Sequence, residues 1–208
     1  MSYVIRTTLV VGVCAIAVAT AGCGGVASVA TTSGTPGAAL PSVSASPEGC
    51  ANPDIASGIS PVTQLALTVS DLPPGGPSLE QISDGEMSNT VNTDQRGFAN
   101  VANTYRIEDD VVLDASTQAA SADYPQLQAT TRALFTTLKS TSSPAALGCQ
   151  ADEYVGTAST GYSQVGVAFQ DGDVVVVVLV VNSAATVDPS YAAAVALAQD
   201  QKIVAASN

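Results

Sequence analysis

The sequence of 208 residues contains no histidine and no tryptophan, and only 6 Lys and Arg against 18 Asp and Glu. Without histidine, Ser-His-Asp and Cys-His catalysis are excluded, and so is every imidazole metal site. Without tryptophan there is no indole platform for stacking sugars or bases, and 3 Phe and 6 Tyr leave only a weaker one. A formal charge of −12 repels polynucleotides and anionic headgroups, so nucleic acid is not an expected partner. No internal repeat stands out, and no motif implies a cofactor or a metal.

The cationic residues are also unevenly placed. Arg6 is the only one in the first 22 residues, and it precedes the apolar stretch 9–20, LVVGVCAIAVAT. A positive start, about a dozen apolar residues and a small-residue exit are the three parts of a secretory signal peptide. A membrane-spanning helix needs about 20 apolar residues, and this stretch is shorter. Thr20-Ala21-Gly22-Cys23 resembles the bacterial lipobox, in which the cysteine becomes the first mature residue and is acylated on sulfur. Thr20 departs from the large aliphatic residue usual at that position. The overlapping Ala19-Thr20-Ala21 is an A-x-A site, whose cleavage would release a soluble chain starting at Gly22. We read 1–22 as a lipoprotein signal peptide and Cys23 as the lipidation site. That reading implies an extracytoplasmic location at the cell envelope, with the membrane as a partner through the anchor.

Four cysteines are present. Cys14 leaves with the signal peptide and Cys23 is acylated, so Cys50 and Cys149 remain, and in an exported protein two remaining cysteines usually pair. Such a bridge closes a loop of about 100 residues and contributes up to ~4.7 kcal/mol by chain entropy. Without histidine to activate it, a catalytic thiol is the weaker alternative. Residues 24–49 hold only Gly, Ala, Val, Ser, Thr, Pro and Leu until Glu48. That composition has little to bury and reads as a disordered tether, with a root-mean-square span of roughly 28 Å. The expected organisation is therefore 1–22 signal peptide, 23–49 lipidated cysteine and tether, and 50–208 a single globular domain.

Within 50–208 the clearest element is a hairpin. Residues 165–170 and 173–181 flank Asp171-Gly172, a pair that favours a tight turn. The second arm, DVVVVVLVV, needs cover on both faces and so predicts a central strand under packed helices. Asp123 followed by Pro125 predicts a helix over 123–140, with Leu127, Thr131, Leu134, Phe135 and Leu138 as its buried stripe. Asp188-Pro189 opens a second helix over 189–205. Weaker patterns predict a strand at 62–69 and a short helix at 84–92. Two further strands, 100–107 and 111–118, are predicted on either side of an acidic turn at 108–110. The fold class is α+β, an antiparallel sheet with helices packed on it.

Candidate chemistry is sparse. Glu108, Asp109, Asp110 and Asp114 are the densest acidic group, but no calcium-loop spacing is present and a solvated turn explains them. Asp171 and Asp173 are explained by the hairpin turn. Lys139 and Lys202 lack the S-x-x-K spacing of a Ser-Lys pair, and both fall near predicted helix C-termini. A hydrolase built on paired carboxylates would need two of them converging in a cleft. The run AFQDGDVVVVVLVV followed by DPSYAAAVALAQDQKI resembles the tail of exported actinobacterial lipoproteins. Among them are relatives of the extracellular sensor domains of mycobacterial serine/threonine kinases. Those domains carry two disulfides where this chain can form one, so no ligand pocket is transferred to named residues.

The expected function is a non-catalytic, lipid-anchored envelope domain that binds a small ligand, a lipid or an envelope partner. An envelope hydrolase and a purely structural surface protein are the alternatives. Replacing Cys23 tests the anchor directly. Cys23→Ala should move the protein from the membrane fraction into the medium or periplasm on cell fractionation, and unchanged membrane association would defeat the lipobox reading.

Overall fold

The valine run and the turn before it build the centre of the sheet. β6 (Ser163–Asp171) and β7 (Val174–Asn182) pair antiparallel with Asp171 opposite Val174, leaving Gly172 and Asp173 as a two-residue turn. Gly172 has φ 57°, and a first central residue with positive φ is what a II′ hairpin turn requires. In the computed structural model, residues 62–86, 92–142, 144 and 147–206 are described.

Five further strands extend this hairpin: β1 (Glu80–Glu86), β2 (Thr93–Ala99), β3 (Tyr105–Leu113), β4 (Thr137–Ser142) and β5 (Gln150–Thr157). Together they form one sheet in the order β1-β2-β3-β7-β6-β5-β4, antiparallel throughout. β7 is the middle strand of seven, so its backbone is hydrogen-bonded on both sides. Its side chains alternate between two buried faces. Val174, Val176, Val178 and Val180 join Val165, Val167 and Phe169 beneath α2 (Pro189–Ala206), which contributes Ala192, Val195, Ala196 and Ile203. Val175 and Val177 pack with Ala168 against Ala120 and Tyr124 of α1 (Thr117–Ala133) on the opposite face. Covering both faces resolves the problem that an all-apolar strand poses.

The expected antiparallel α+β fold is present, as are the central hairpin and the terminal helix. Several element assignments are corrected. The helix predicted at 123–140 begins earlier and ends earlier: Ser116 caps it by accepting the Ala119 N–H at 3.2 Å. Pro125 therefore lies inside the helix, and Leu134 is its C-cap. Leu138 and Lys139 fall on edge strand β4, where β-branched Thr137 and Thr141 suit extended backbone. Residues 62–69 form no strand but two 3-10 turns, Val62–Gln64 and Val69–Asp71, joined by a buried stretch. The helix expected at 84–92 is not formed at 84–86, which end β1, nor at Asn92, a turn residue preceding β2, and 87–91 lie outside the described residues.

The largest correction concerns 108–110. These residues are not a turn but the middle of β3, paired on both sides: Asp109 lies between Arg96 and Val178, and Asp110 between Gln95 and Val177. Period-2 alternation survives the charge, since Ile107, Asp109, Val111 and Leu113 are buried while Glu108, Asp110 and Val112 are partly exposed. Three adjacent carboxylates look solvated in sequence because a strand's two faces are not visible there.

Core and surface should respond differently to truncation. Phe169 of β6 is fully buried in the core that α2 covers, so Phe169→Ala should lower stability by about 3–5 kcal/mol in urea denaturation. Val101 is 90% exposed, and Val101→Ala should change it by less than about 0.5 kcal/mol. Equal effects would contradict this placement of the core.

Candidate functional site

The segment 62–79 shares the α2 face and covers the sheet over β2 and β3. Val62, Leu65, Ala66 and Leu67 are its buried anchors. They pack with Phe98, Ile107 and Val111 in the same core as α2. Its backbone carbonyls are met by side chains from elsewhere. Arg96 donates through Nη1 to the Leu67 carbonyl at 3.0 Å and through Nη2 to the Thr63 carbonyl at 2.9 Å. Gln199 of α2 donates to the Leu65 carbonyl at 2.7 Å, and the Leu67 N–H donates to Asp109 Oδ2 at 3.0 Å. These contacts satisfy irregular backbone that would otherwise be buried without partners.

The second 3-10 turn is held separately. Thr68 donates through its N–H and its hydroxyl to Asp71 Oδ2, at 2.8 and 2.7 Å, and Lys202 reaches the same oxygen at 2.6 Å. Burial pushes the Asp71 carboxyl up, but the bonds from Lys202 and Thr68 outweigh it and hold the group below its ordinary value. The chain then leaves along Leu72-Pro73-Pro74-Gly75-Gly76-Pro77, antiparallel to α2, toward Tyr191 near that helix's start.

A groove of about 410 Å³ opens there, lined by Val69, Leu72, the loop 73–79 and Tyr191. Gly76 shapes it: a Cβ at this position would come within 2.2 Å of the Tyr191 hydroxyl, so the phenol lies directly against glycine backbone. Tyr191 also donates weakly to the Pro73 carbonyl at 3.5 Å and packs edge-on against Tyr105, with ring centroids 6.2 Å apart. Burial raises the pKa of both phenols, with Tyr191 and Asp188 adding to the effect at Tyr105. Both stay neutral at physiological pH, and the lining contains no charged side chain. Such a surface, uncharged but with loop backbone, Ser78 and Tyr191 polar atoms among its apolar ones, suits a small neutral ligand that both packs and hydrogen-bonds.

The carboxyl groups lie elsewhere. Asp94 and Asp109 are fully buried beneath 62–67, and Asp94 pairs with Arg96 at 3.2 Å. Burial pushes Asp109 up to about 7, with Asp110 and Asp94 adding to the rise and the Leu67 N–H and Arg96 opposing it. Burial likewise pushes Asp110 up to about 7 on the other face of the sheet, against the hydrogen bond from Gln95 and with help from Glu108. Asp114 is pushed up to about 6, first by burial and then by Asp123 and Asp173. Asp171 and Asp173 are buried, and the Asp173 carbonyl accepts the Asp114 N–H at 2.8 Å. Turn chemistry alone therefore does not account for them. Tyr124 places its hydroxyl 2.9 Å from Asp152 and 3.0 Å from the Ala168 carbonyl, tying α1 to β5 and β6. None of these carboxyl groups lines the groove. Asp114 and Asp123 touch each other directly, closer than the roughly 5–10 Å that a glycosidase pair leaves for its substrate.

The residues singled out in the sequence are not brought together. Cys23 and Cys50 lie outside the described residues. Cys149 is disulfide-bonded, immediately before β5, with its N–H on the Gln170 carbonyl at 2.9 Å. Among the described residues no three His, Cys, Asp or Glu side chains are grouped to hold a metal ion, and no helix is long and apolar enough to cross a membrane. Nothing in the sequence singles out Gly76 or Tyr191, since one lies in a run of Pro and Gly and the other within a helix pattern. No known protein family matches the chain, and no characterised protein is significantly similar to it.

The raised carboxyl groups give an unusual pH dependence. Asp109, Asp110 and Asp114 sit above the unfolded value of about 4, so folding favours their protonated forms. The stability they supply is complete below about pH 4 and is lost as pH rises through about 6–7. Asp71 works in the opposite sense, but only below its ordinary value and outside that window. The melting temperature should therefore rise as pH is lowered from 8 to 5, and the Asp109→Asn, Asp110→Asn double variant should show a flatter profile. A wild-type melting temperature that falls over that range would contradict the assignment.

Proposed function

We propose that this chain is a lipid-anchored envelope protein whose folded part is a non-catalytic binding module for a small, neutral ligand. The groove beside Tyr191 carries the reading. It is concave, open to solvent and uncharged, lined by aliphatic, proline and tyrosine side chains together with Gly75, Gly76 and Ser78, and about 410 Å³ lies within the range of small-molecule sites. Its construction adds support, because Gly76 allows the Tyr191 ring to stand against the loop backbone and form one wall. Anchoring through Cys23 would keep this groove within reach of ligands in the envelope space. The expected Cys50–Cys149 bridge would fix the base of the tether to the start of β5.

The site differs from the apolar pocket between sheet and helix that a helix-covered sheet first suggests. Both sheet–helix interfaces are filled by side chains, and the concavity lies at the margin of α2 instead. N-phenyl-1-naphthylamine, a neutral apolar fluorophore, is a suitable probe. It should bind saturably to the wild-type chain, and Tyr191→Ala and Gly76→Ala should each weaken binding roughly tenfold, a loss of ~1.4 kcal/mol. Circular dichroism would confirm that both variants stay folded. Unchanged affinity in both would remove the groove from consideration.

A further inference from the structure

Asp109 is one of the fully buried ionisable groups among the described residues. Its Oδ2 accepts one backbone N–H, and its Oδ1 has no hydrogen-bond partner among the described residues. From β2 it faces Arg96, directly opposite in register, and Asp94, two residues along the same strand. Its own strand contributes Asp110, and β7 sets the apolar Val178 opposite it. β1 places Asp84 opposite Arg96 in register. From the covering segment comes the Leu67 N–H, while that segment's own acid, Asp71, is engaged by Lys202 of α2. The nearest α2 group, Gln199, is neutral and bound to the Leu65 carbonyl. Arg96 is thus the one cation acting on Asp109 among these groups. Among its donors, Nε goes to Asp94, Nη1 to the Leu67 carbonyl and Nη2 to the Thr63 carbonyl.

We infer that Asp94, Arg96 and Asp109 form a proton-operated latch, which holds segment 62–72 on the sheet while Asp109 is protonated and loosens it when that proton leaves. With the proton in place, Asp109 adds no charge beside the buried Asp94–Arg96 ion pair. Without it, a second carboxylate lies in the core with a single backbone N–H as its donor, an arrangement that costs several kcal/mol. Peeling 62–72 from the sheet is the motion that brings water to this carboxylate, because Leu65, Ala66 and Leu67 are the cover above it. The raised titration of Asp109 agrees with this count. The same segment carries Val69 and Leu72 of the groove wall, so the latch would couple proton loss to loss of the groove. That consequence rests on the binding reading above, whereas the latch itself does not.

Hydrogen exchange of the full chain at pH 5 and pH 8.5, corrected for intrinsic rates, reads the latch without any ligand. Protection of the Leu67 amide should fall at least tenfold between these values, relative to β6 and β7 amides measured in the same samples. In Asp109→Asn the Leu67 protection should be independent of pH, while Asp110→Asn should keep the wild-type dependence. Unchanged wild-type protection, or an undiminished pH dependence in Asp109→Asn, overturns the proposal. If that variant does not fold, carbon NMR titration of the Asp109 carboxyl in the wild type decides. A midpoint coinciding with the loss of Leu67 protection supports the latch, and a midpoint near 4 overturns it. N-phenyl-1-naphthylamine binding is measured in parallel. Absence of binding at both pH values, with protection changing as expected, supports the latch and removes only the groove reading.

Discussion

β7 presents only valine and leucine from Val174 to Val181, so neither of its faces can be left to water. The rest of the architecture follows from satisfying that strand. Its edges are paired by β3 and β6, which makes it the centre of a seven-stranded sheet. One face is closed by α2 with the segment 62–67, the other by α1. An exposed strand of this composition would pair with other chains. The strands at the two margins differ in kind, since β1 carries Glu80, Asp84 and Glu86 and β4 is largely polar with Lys139. Charge and polarity at the edges discourage further growth of a sheet whose centre is so apolar.

Cover on the α2 face comes from two sources of different character. α2 satisfies its own backbone and needs only an apolar stripe. Segment 62–72 has little regular structure, so its carbonyls and amides need partners supplied by other elements. Arg96, Asp109 and Gln199 are those partners, and this explains how charged and amide side chains come to lie in the core. Replacing a buried ionic group by well-packed apolar residues is often neutral or stabilising, so the clamp is weak evidence of added stability. The groove inherits the placement of the segment, because Val69 and Leu72 follow directly on the clamped residues. Site and clamp are therefore one structure, and the protonation of the clamp bears on the shape of the site.

Legibility in the sequence varied with how local the deciding interaction is. The β6–β7 hairpin and α2 were legible because a turn residue, a β-branched run and an Asp-Pro start act within a few residues of each other. α1 was misplaced by about a turn and a half because Ser116 supplies a cap before Asp123-Pro125 does, and one capping signal does not announce which of two will be used. β3 was split in two because Glu108-Asp109-Asp110 looks like a solvated turn until strands on both sides pair with it. Segment 62–69 has the alternation of a strand, yet no strand pairs with it, and it lies across the sheet as 3-10 turns. The groove was not legible at all, since Gly76 and Tyr191 are 115 positions apart and neither is unusual alone.

What the sequence determined by itself is the part set by composition and short-range pattern. This comprises an acidic chain without imidazole chemistry, an antiparallel α+β fold, and a central strand that must be covered twice. Tertiary structure alone decided which carboxyl groups are buried, which backbone they clamp, and where a concavity remains. The physical reason is the range of the interactions. Turn, cap and period preferences act over a few residues along the chain. Burial of Asp109 and the meeting of Tyr191 with Gly76 depend on contacts between segments that only the folded sheet brings together.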